Sequence, residues 1–265
     1  MPTGPLITLL TDFGLADHYV AAMKGVILGI CPDARLVDIS HEIKPFAIAE
    51  AAFTLSQAYP CFPAGATHLV VVDPGVGSSR RPLLAEADGH RFIGPDNGVL
   101  TFPLDRDSGA QIRHITAGAW FRQPVSKTFH GRDIFAPVAA HLASGVTASE
   151  FGGLISDPVR LDFGPPVQIE ANFIEAQVLY VDRYGNIVTG IRTSDVPKIA
   201  SCRFEMKLGS QVVSHYQSVY ADAPAGIPFV IEGSSGYLEV SIGQGNAALA
   251  MGVSTGSKVT LRLLP

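Results

Sequence analysis

Short apolar runs alternate with helical spacings along the first 160 residues. Leu6-Ile7-Thr8-Leu9-Leu10 predicts a strand buried on both faces, followed by the loop Thr11-Asp12-Phe13-Gly14. Tyr19, Met23, Val26, Ile27 and Ile30 recur at helical spacing, with Asp17 as the expected N-cap and Pro32 beyond the end. Residues 35–39 read as a second strand, 48–59 as a second helix and 68–72 as a third, β-branched strand. This repetition predicts a parallel sheet covered by helices. The pattern changes over residues 151–172, where Gly152-Gly153, Pro158 and Gly164-Pro165-Pro166 interrupt any periodicity. Beyond it, residues 176–181, 203–208, 229–231, 237–242 and 258–263 alternate or run β-branched between Gly and Pro, which predicts a small sheet or barrel. The expected division is an α/β domain over residues 1–160, a linker over 161–172 and a β domain over 173–265.

Composition narrows the class. Hydrophobic residues are 47% of the 265 and charged residues 16%, a globular composition and not a disordered one. The net charge of −5 comes without any basic block, so nucleic acid is not an expected partner. Cys31, Cys61 and Cys202 are odd in number and widely spaced, which predicts three buried thiols in a reducing cytosol and neither zinc nor a disulfide framework. The apolar run at residues 6–10 is too short for a signal peptide or a membrane span, so a cytoplasmic protein with no membrane partner is expected.

Chemistry is expected at the C-terminal ends of the strands, where open parallel sheets bind ligands. Thr11-Asp12-Phe13-Gly14 is one loop there, and Asp73-Pro74-Gly75-Val76-Gly77-Ser78-Ser79-Arg80-Arg81 is another. The second is glycine-rich but lacks the Gly-Lys-Ser/Thr of a phosphate loop. Thr128-Phe129-His130-Gly131-Arg132-Asp133 enters a helix predicted from Ile134. His130 either reaches into a cleft or packs locally. Asp133 reads as an N-cap, and Asp96 and Asn97 read as turn residues.

Five segments in this order resemble the S-adenosyl-L-methionine hydroxide adenosyltransferase family, which is related to fluorinating and chlorinating enzymes. They are Thr11-Asp12-Phe13-Gly14, Val72-Asp73-Pro74-Gly75-Val76-Gly77, Gly94-Pro95-Asp96-Asn97-Gly98, Phe129-His130-Gly131-Arg132-Asp133 and Asp182-Arg183-Tyr184-Gly185-Asn186. The resemblance implies an N-terminal parallel-sheet α/β domain followed by a small C-terminal β-barrel domain. It also implies a homotrimer with the substrate held at the subunit interface. The family's hydrolytic Asp, Arg and His fall on Asp73, Arg80 and His130, the register selecting Arg80 over Arg81. For substrate holding, it implies Asp12 on the ribose hydroxyls, Asp182 on the methionine ammonium, and Asn186 with nearby Tyr184 on adenine or ribose. Ser234 and Ser235 fall on the stretch that grips the methionine carboxylate, and Glu239 is a further candidate.

The implied reaction is hydrolysis of S-adenosyl-L-methionine to adenosine and methionine, with no metal and no cofactor. A sulfonium leaves as a neutral thioether and needs no general acid. The scarce component is the nucleophile, since free water has a pKa of about 15.7. The halogenating branch carries aromatic residues where this chain has Asp73 and His130, and it inserts a loop where this chain runs directly from Gly98 to Ile112. A fixed carboxylate would repel a halide. A halogenase of the same fold and a non-catalytic adenosine sensor are the two alternatives.

Overall fold

The computed structural model describes residues 4–163 and 167–265. The chain forms two compact units, Met1–Leu161 and Asp162–Pro265.

The first unit holds β1 (Leu6–Thr11), α1 (Tyr19–Ile30), β2 (Arg35–Ser40), α2 (Ile48–Ala58), β3 (Thr67–Val71), β4 (Pro82–Ala87), β5 (His90–Pro95), α3 (Thr101–Arg106), β6 (Gln111–His114), α4 (Ala136–Ala143) and β7 (Leu154–Ile155). The seven strands form one sheet in the order β2-β1-β3-β5-β4-β6-β7. β2, β1, β3 and β5 run parallel, whereas β4, β6 and β7 join antiparallel. The sheet is therefore mixed and not wholly parallel. The β4 to β5 connection is only Asp88-Gly89, too short for a crossover and long enough for a hairpin.

Alternation within the strands divides the core into two layers. Ile7, Leu9, Leu69 and Val71 pack with Met23 and Ile27 of α1 and Val138 and Leu142 of α4. Leu10, Val70 and Val72 pack the opposite face with Ala51 and Leu55 of α2 and Leu104 of α3. α1 begins after His18 with no side-chain cap, so Asp17 does not serve as the expected N-cap. Of the three cysteines only Cys31 is buried. Cys61 is exposed and Cys202 is intermediate, which corrects the expectation of three buried thiols. Cys61 ends a one-turn 3-10 segment, Tyr59–Cys61, that leads α2 into a surface loop.

The second unit contains β8 (Val167–Glu170), β9 (Phe173–Val181), β10 (Ile187–Arg192), β11 (Phe204–Leu208), β12 (Gln211–Val213), β13 (Pro228–Glu232), β14 (Tyr237–Ile242), α5 (Ala247–Met251) and β15 (Lys258–Leu263). The strands form an antiparallel, barrel-like sheet in the order β12-β11-β15-β9-β10-β14-β13, with β8 on β9. Their inward residues, among them Val178, Ile187, Met206, Val240 and Leu261, make one core. Of the expected linker 161–172, residues 164–166 lie outside the described residues. The part from Val167 is the paired strand β8, which corrects that expectation: Gly and Pro punctuation marked the break but not the strand after it.

Candidate active site

Two loops leave neighbouring parallel strands at one level. Thr11 of β1 pairs with Val71 of β3, so Asp12 and Asp73 emerge side by side at the C-terminal edge. The Asp73 loop then crosses the end of β5 to reach β4, where the Asp96 amide donates to the Arg81 carbonyl at 2.8 Å.

Asp73, Arg80 and His130 are brought together there. Arg80 Nε donates to both Asp73 carboxylate oxygens, at 2.9 and 3.0 Å, and its Nη2 also meets Oδ2. The same Nη2 lies 2.8 Å from His130 Nδ1. Side-chain exposures of 9% for Arg80 and 5% for Asp73 make this a desolvated pair, not a surface salt bridge. The Arg80 guanidinium stands 5.1 Å from the Phe135 ring centroid, which covers it on one side. Burial and the Arg80 charge push the His130 imidazole below its ordinary pKa, against the opposing pull of Asp73 and Asp133.

That geometry assigns the tautomer. An arginine nitrogen only donates, so Nδ1 is the acceptor, and neutral imidazole then carries its proton on Nε2. Arg81 points elsewhere. Its Nε donates to Asp96 Oδ2 at 2.7 Å and its Nη1 to Asp157 Oδ1 at 2.8 Å. Asp96 is thus a buried ion-pair partner, not a simple turn residue. Asn97 fastens the same corner by donating to the Val72 carbonyl at 2.9 Å.

His130 precedes a π turn, Gly131–Phe135, which runs into α4. The predicted helix start at Ile134 therefore falls inside that turn. Asp133 is no N-cap: it is fully buried and bound by Arg132 and Arg122. Asp12 Oδ2 accepts from the Phe46 amide at 2.9 Å, and Oδ1 takes no part in that bond. Its loop is anchored from below. Thr11 Oγ1 meets His41 Nδ1 at 2.8 Å, and His41 Nε2 meets Asp38 Oδ1 at 3.0 Å.

The remaining sequence candidates lie in the second unit. A cavity of about 760 Å3 is lined by Asp182, Tyr184, Asn186, Ser234 and Glu239. Asp182 is largely engaged within its own turn. Its Oδ1 accepts from the Tyr184 and Asn186 amides at 2.9 and 2.8 Å, and its Oδ2 accepts from Asn186 Nδ2 at 2.8 Å. Gly185 has φ +85°, and a Cβ there would stand 2.1 Å from Asn246 Cγ, so only glycine fits. Burial pushes the Glu239 carboxyl up, the hydrogen bond donated by Tyr220 at 3.1 Å pulls against that rise, and the Asp182 charge adds to it. Ser235 does not line the cavity, and its Oγ is buried without a partner among the described residues.

Tyr220, Glu232, Gln244 and Asn246 also line it, and none of them is a site candidate from the sequence. Tyr220, Gln244 and Asn246 sit outside the strands with no periodic signal to mark them, and Glu232 is the last residue of β13. The lining residues include three carboxylates and no lysine or arginine, a surround suited to a cationic ligand. Among the described residues, no group of three His, Cys, Asp or Glu side chains is arranged to hold a metal ion. No described helix is long and apolar enough to cross a membrane.

Residues 7–152 match the family model "SAM hydroxide adenosyltransferase N-terminal domain", and residues 176–260 match the corresponding C-terminal domain. The chain is 38% identical to the (R)-S-adenosyl-L-methionine hydrolase of Salinispora tropica, over 98% of both chains. It is 25% identical to a fluorinase of an Actinoplanes species, over 97% of both. A crystal structure of an uncharacterized conserved protein from Thermotoga maritima superposes with a TM-score of 0.89 at 34% identity, covering 97% of this chain and 99% of that one.

Proposed function

The chain belongs to the SAM hydroxide adenosyltransferase family, and from that premise we propose that it hydrolyses S-adenosyl-L-methionine to adenosine and L-methionine by in-line attack of a water held by Asp73, Arg80 and His130. The observation that carries this reading is the continuous hydrogen-bonded row from Asp73 through Arg80 to His130.

The chemistry follows from what each group presents. Nucleophilic oxygen attacks ribose C5′, the C5′–O bond forms as the C5′–S bond breaks, and sulfur departs with the bonding pair as a thioether. One proton is released from the water. With Nδ1 occupied by Arg80, His130 faces the nucleophile as an Nε2–H donor, which favours the hydroxide-like form. The guanidinium charge adds to that preference, and Asp73 keeps it in place. The imidazole enters as a donor, so the proton leaves toward the Asp73 carboxylate and solvent. A fixed carboxylate beside the nucleophile disfavours a halide, in line with the greater identity to the hydrolase than to the fluorinase.

Asp12 suits the ribose diol, and the acidic cavity suits the cationic methionine end. Asp182 takes the methionine ammonium, Ser234 with Ser235 beside it the methionine carboxylate, and Asn186 with Tyr184 adenine or ribose, with Glu239 as a further candidate. The reaction needs no metal or cofactor, and turnover surviving exhaustive chelation is the expected result. The active form is a homotrimer acting in the cytoplasm, its substrate shared between the first unit of one copy and the second unit of the next. Sedimentation at three times the 28.0 kDa chain mass would support the trimer.

The decisive experiment is turnover in ¹⁸O-labelled water without halide. Label in the 5′-hydroxyl of adenosine is expected. Intact substrate that stays bound over hours would mean a sensor, and a 5′-halo product in concentrated chloride or fluoride would mean a halogenase.

A further inference from the structure

Three positions beyond His130, Asp133 is a carboxylate with no solvent exposure. A buried carboxylate is costly unless it is paired and hydrogen-bonded. Here Arg132 donates through Nε to Oδ1 at 2.7 Å and through Nη2 to Oδ2 at 2.8 Å. Arg122 Nη1 reaches Oδ1 at 3.3 Å, and the Ser126 amide donates to Oδ2 at 2.9 Å. The Arg122 amide also donates to the Asp133 carbonyl at 2.9 Å. Burial pulls the Asp133 carboxyl up, but the Arg132 and Ser126 hydrogen bonds outweigh it and hold the group ionised, below the usual carboxylate range.

Except for Arg132, these partners all belong to residues 122–126, the segment that leads into Phe129 and His130. The same stretch braces the other half of the triad. Gly77, in the loop between Asp73 and Arg80, lies so close that a Cβ would stand 2.3 Å from the Lys127 carbonyl oxygen. Arg132 also covers the Phe129 ring, 5.0 Å from its centroid. One carboxylate therefore ties the 122–126 segment to the π turn that His130 precedes, and Lys127, the next residue along, packs closely against the loop bearing Asp73 and Arg80. Inserted π turns concentrate where a side chain must be aimed.

We propose that Asp133 is a positioning residue of the hydrolytic site, its buried carboxylate clamping the 122–126 segment to the π turn so that the His130 ring meets Arg80. Its effect on turnover rests on the hydrolytic reading above. Asp133 is fully enclosed and touches no substrate, so it acts through His130. Its charge also favours the protonated imidazole.

The test pairs Asp133→Asn, which keeps shape and removes charge, with Arg132→Gln, which removes one arm of the clamp. Steady-state kinetics and ¹⁵N NMR titration of the His130 ring are recorded on both and on the wild type. For folded Asp133→Asn, kcat should fall about 10- to 100-fold with KM changed less than about 2-fold, the pattern of lost alignment at the reacting centre. The His130 titration should move to lower pH, a change that simple loss of folded protein would not produce. Arg132→Gln should lower kcat in smaller measure, but it removes a cation and leaves the Asp133 charge, so its His130 titration should not move to lower pH; its kcat alone decides if Asp133→Asn does not fold. Folded variants with wild-type kcat and an unmoved His130 titration overturn the proposal. If the wild type itself releases no adenosine, hydrolysis is wrong, and the clamp is then judged on the His130 titration alone.

Discussion

At Arg80, one guanidinium holds both a carboxylate and an imidazole with a single planar fork. Lysine keeps the charge but cannot span both partners. Arg80→Lys should therefore lower kcat by about 10²- to 10³-fold, the usual cost of one transition-state donor, measured as adenosine release by chromatography. Retention of more than half the activity would remove Arg80 from the row. The pH profile tests the neighbouring group. His130 works neutral and its pKa is lowered by burial and by Arg80. As pH falls, kcat/KM should thus hold through the ordinary histidine value of about 6.5 and decline only below it. An acid limb at or above that value would contradict the assigned tautomer. The residue types and their register were legible in the sequence. The separation of Arg80 from Arg81 by partner was not, because it depends on Asp96 and Asp157 waiting on the other side of the loop.

At the scale of elements, β3 illustrates how one apolar run carries two kinds of information. Its β-branched residues were readable as a strand, but His68 within it gave no sign of its environment. In the fold His68 Nδ1 meets Thr8 Oγ1 at 2.8 Å and Nε2 meets His90 Nδ1 at 3.1 Å, under Tyr59 and Phe92. Burial, followed by the charge of His90, pushes His68 down to about 3. The folded pKa is below the unfolded one, so the unfolded chain takes up the proton first. Stability should be fully present above about pH 6.5 and be lost as pH falls toward 3, with a slope of up to about 1.4 kcal/mol per pH unit from this group. Urea unfolding at several pH values should show that slope flattened in His68→Asn, and an unchanged slope would assign it elsewhere. Helix entry was the weakest element-level expectation. Asp17 and Asp133 were both read as caps, yet α1 starts uncapped and Asp133 is drawn into ion pairs with Arg122 and Arg132. Capping propensity is local and yields to a better tertiary partner.

At the scale of the whole molecule, charge sets how substrate arrives. S-adenosyl-L-methionine carries net positive charge, the chain carries −5, and the cavity lining of the second unit includes three carboxylates and no basic residue. Raising salt from about 0.05 to 0.5 M should raise KM several-fold and leave kcat nearly unchanged, because screening acts on encounter and not on the buried Arg80–Asp73 pair. A KM independent of salt would mean that shape, not charge, selects the ligand. By itself the sequence determined the two-part division, the α/β and β character of the parts, and the loops that carry Asp12, Asp73 and His130. Those follow from hydrophobic period and from motif order, which are local properties of the chain. Only the tertiary structure decided that the first sheet is mixed, that His130 presents Nε2–H, that Asp182 is largely engaged in its own turn, and that Tyr220, Gln244 and Asn246 share the cavity lining with it. Each depends on strand pairing or on hydrogen bonds between residues far apart in sequence or in irregular loops, where no period reports which groups will meet.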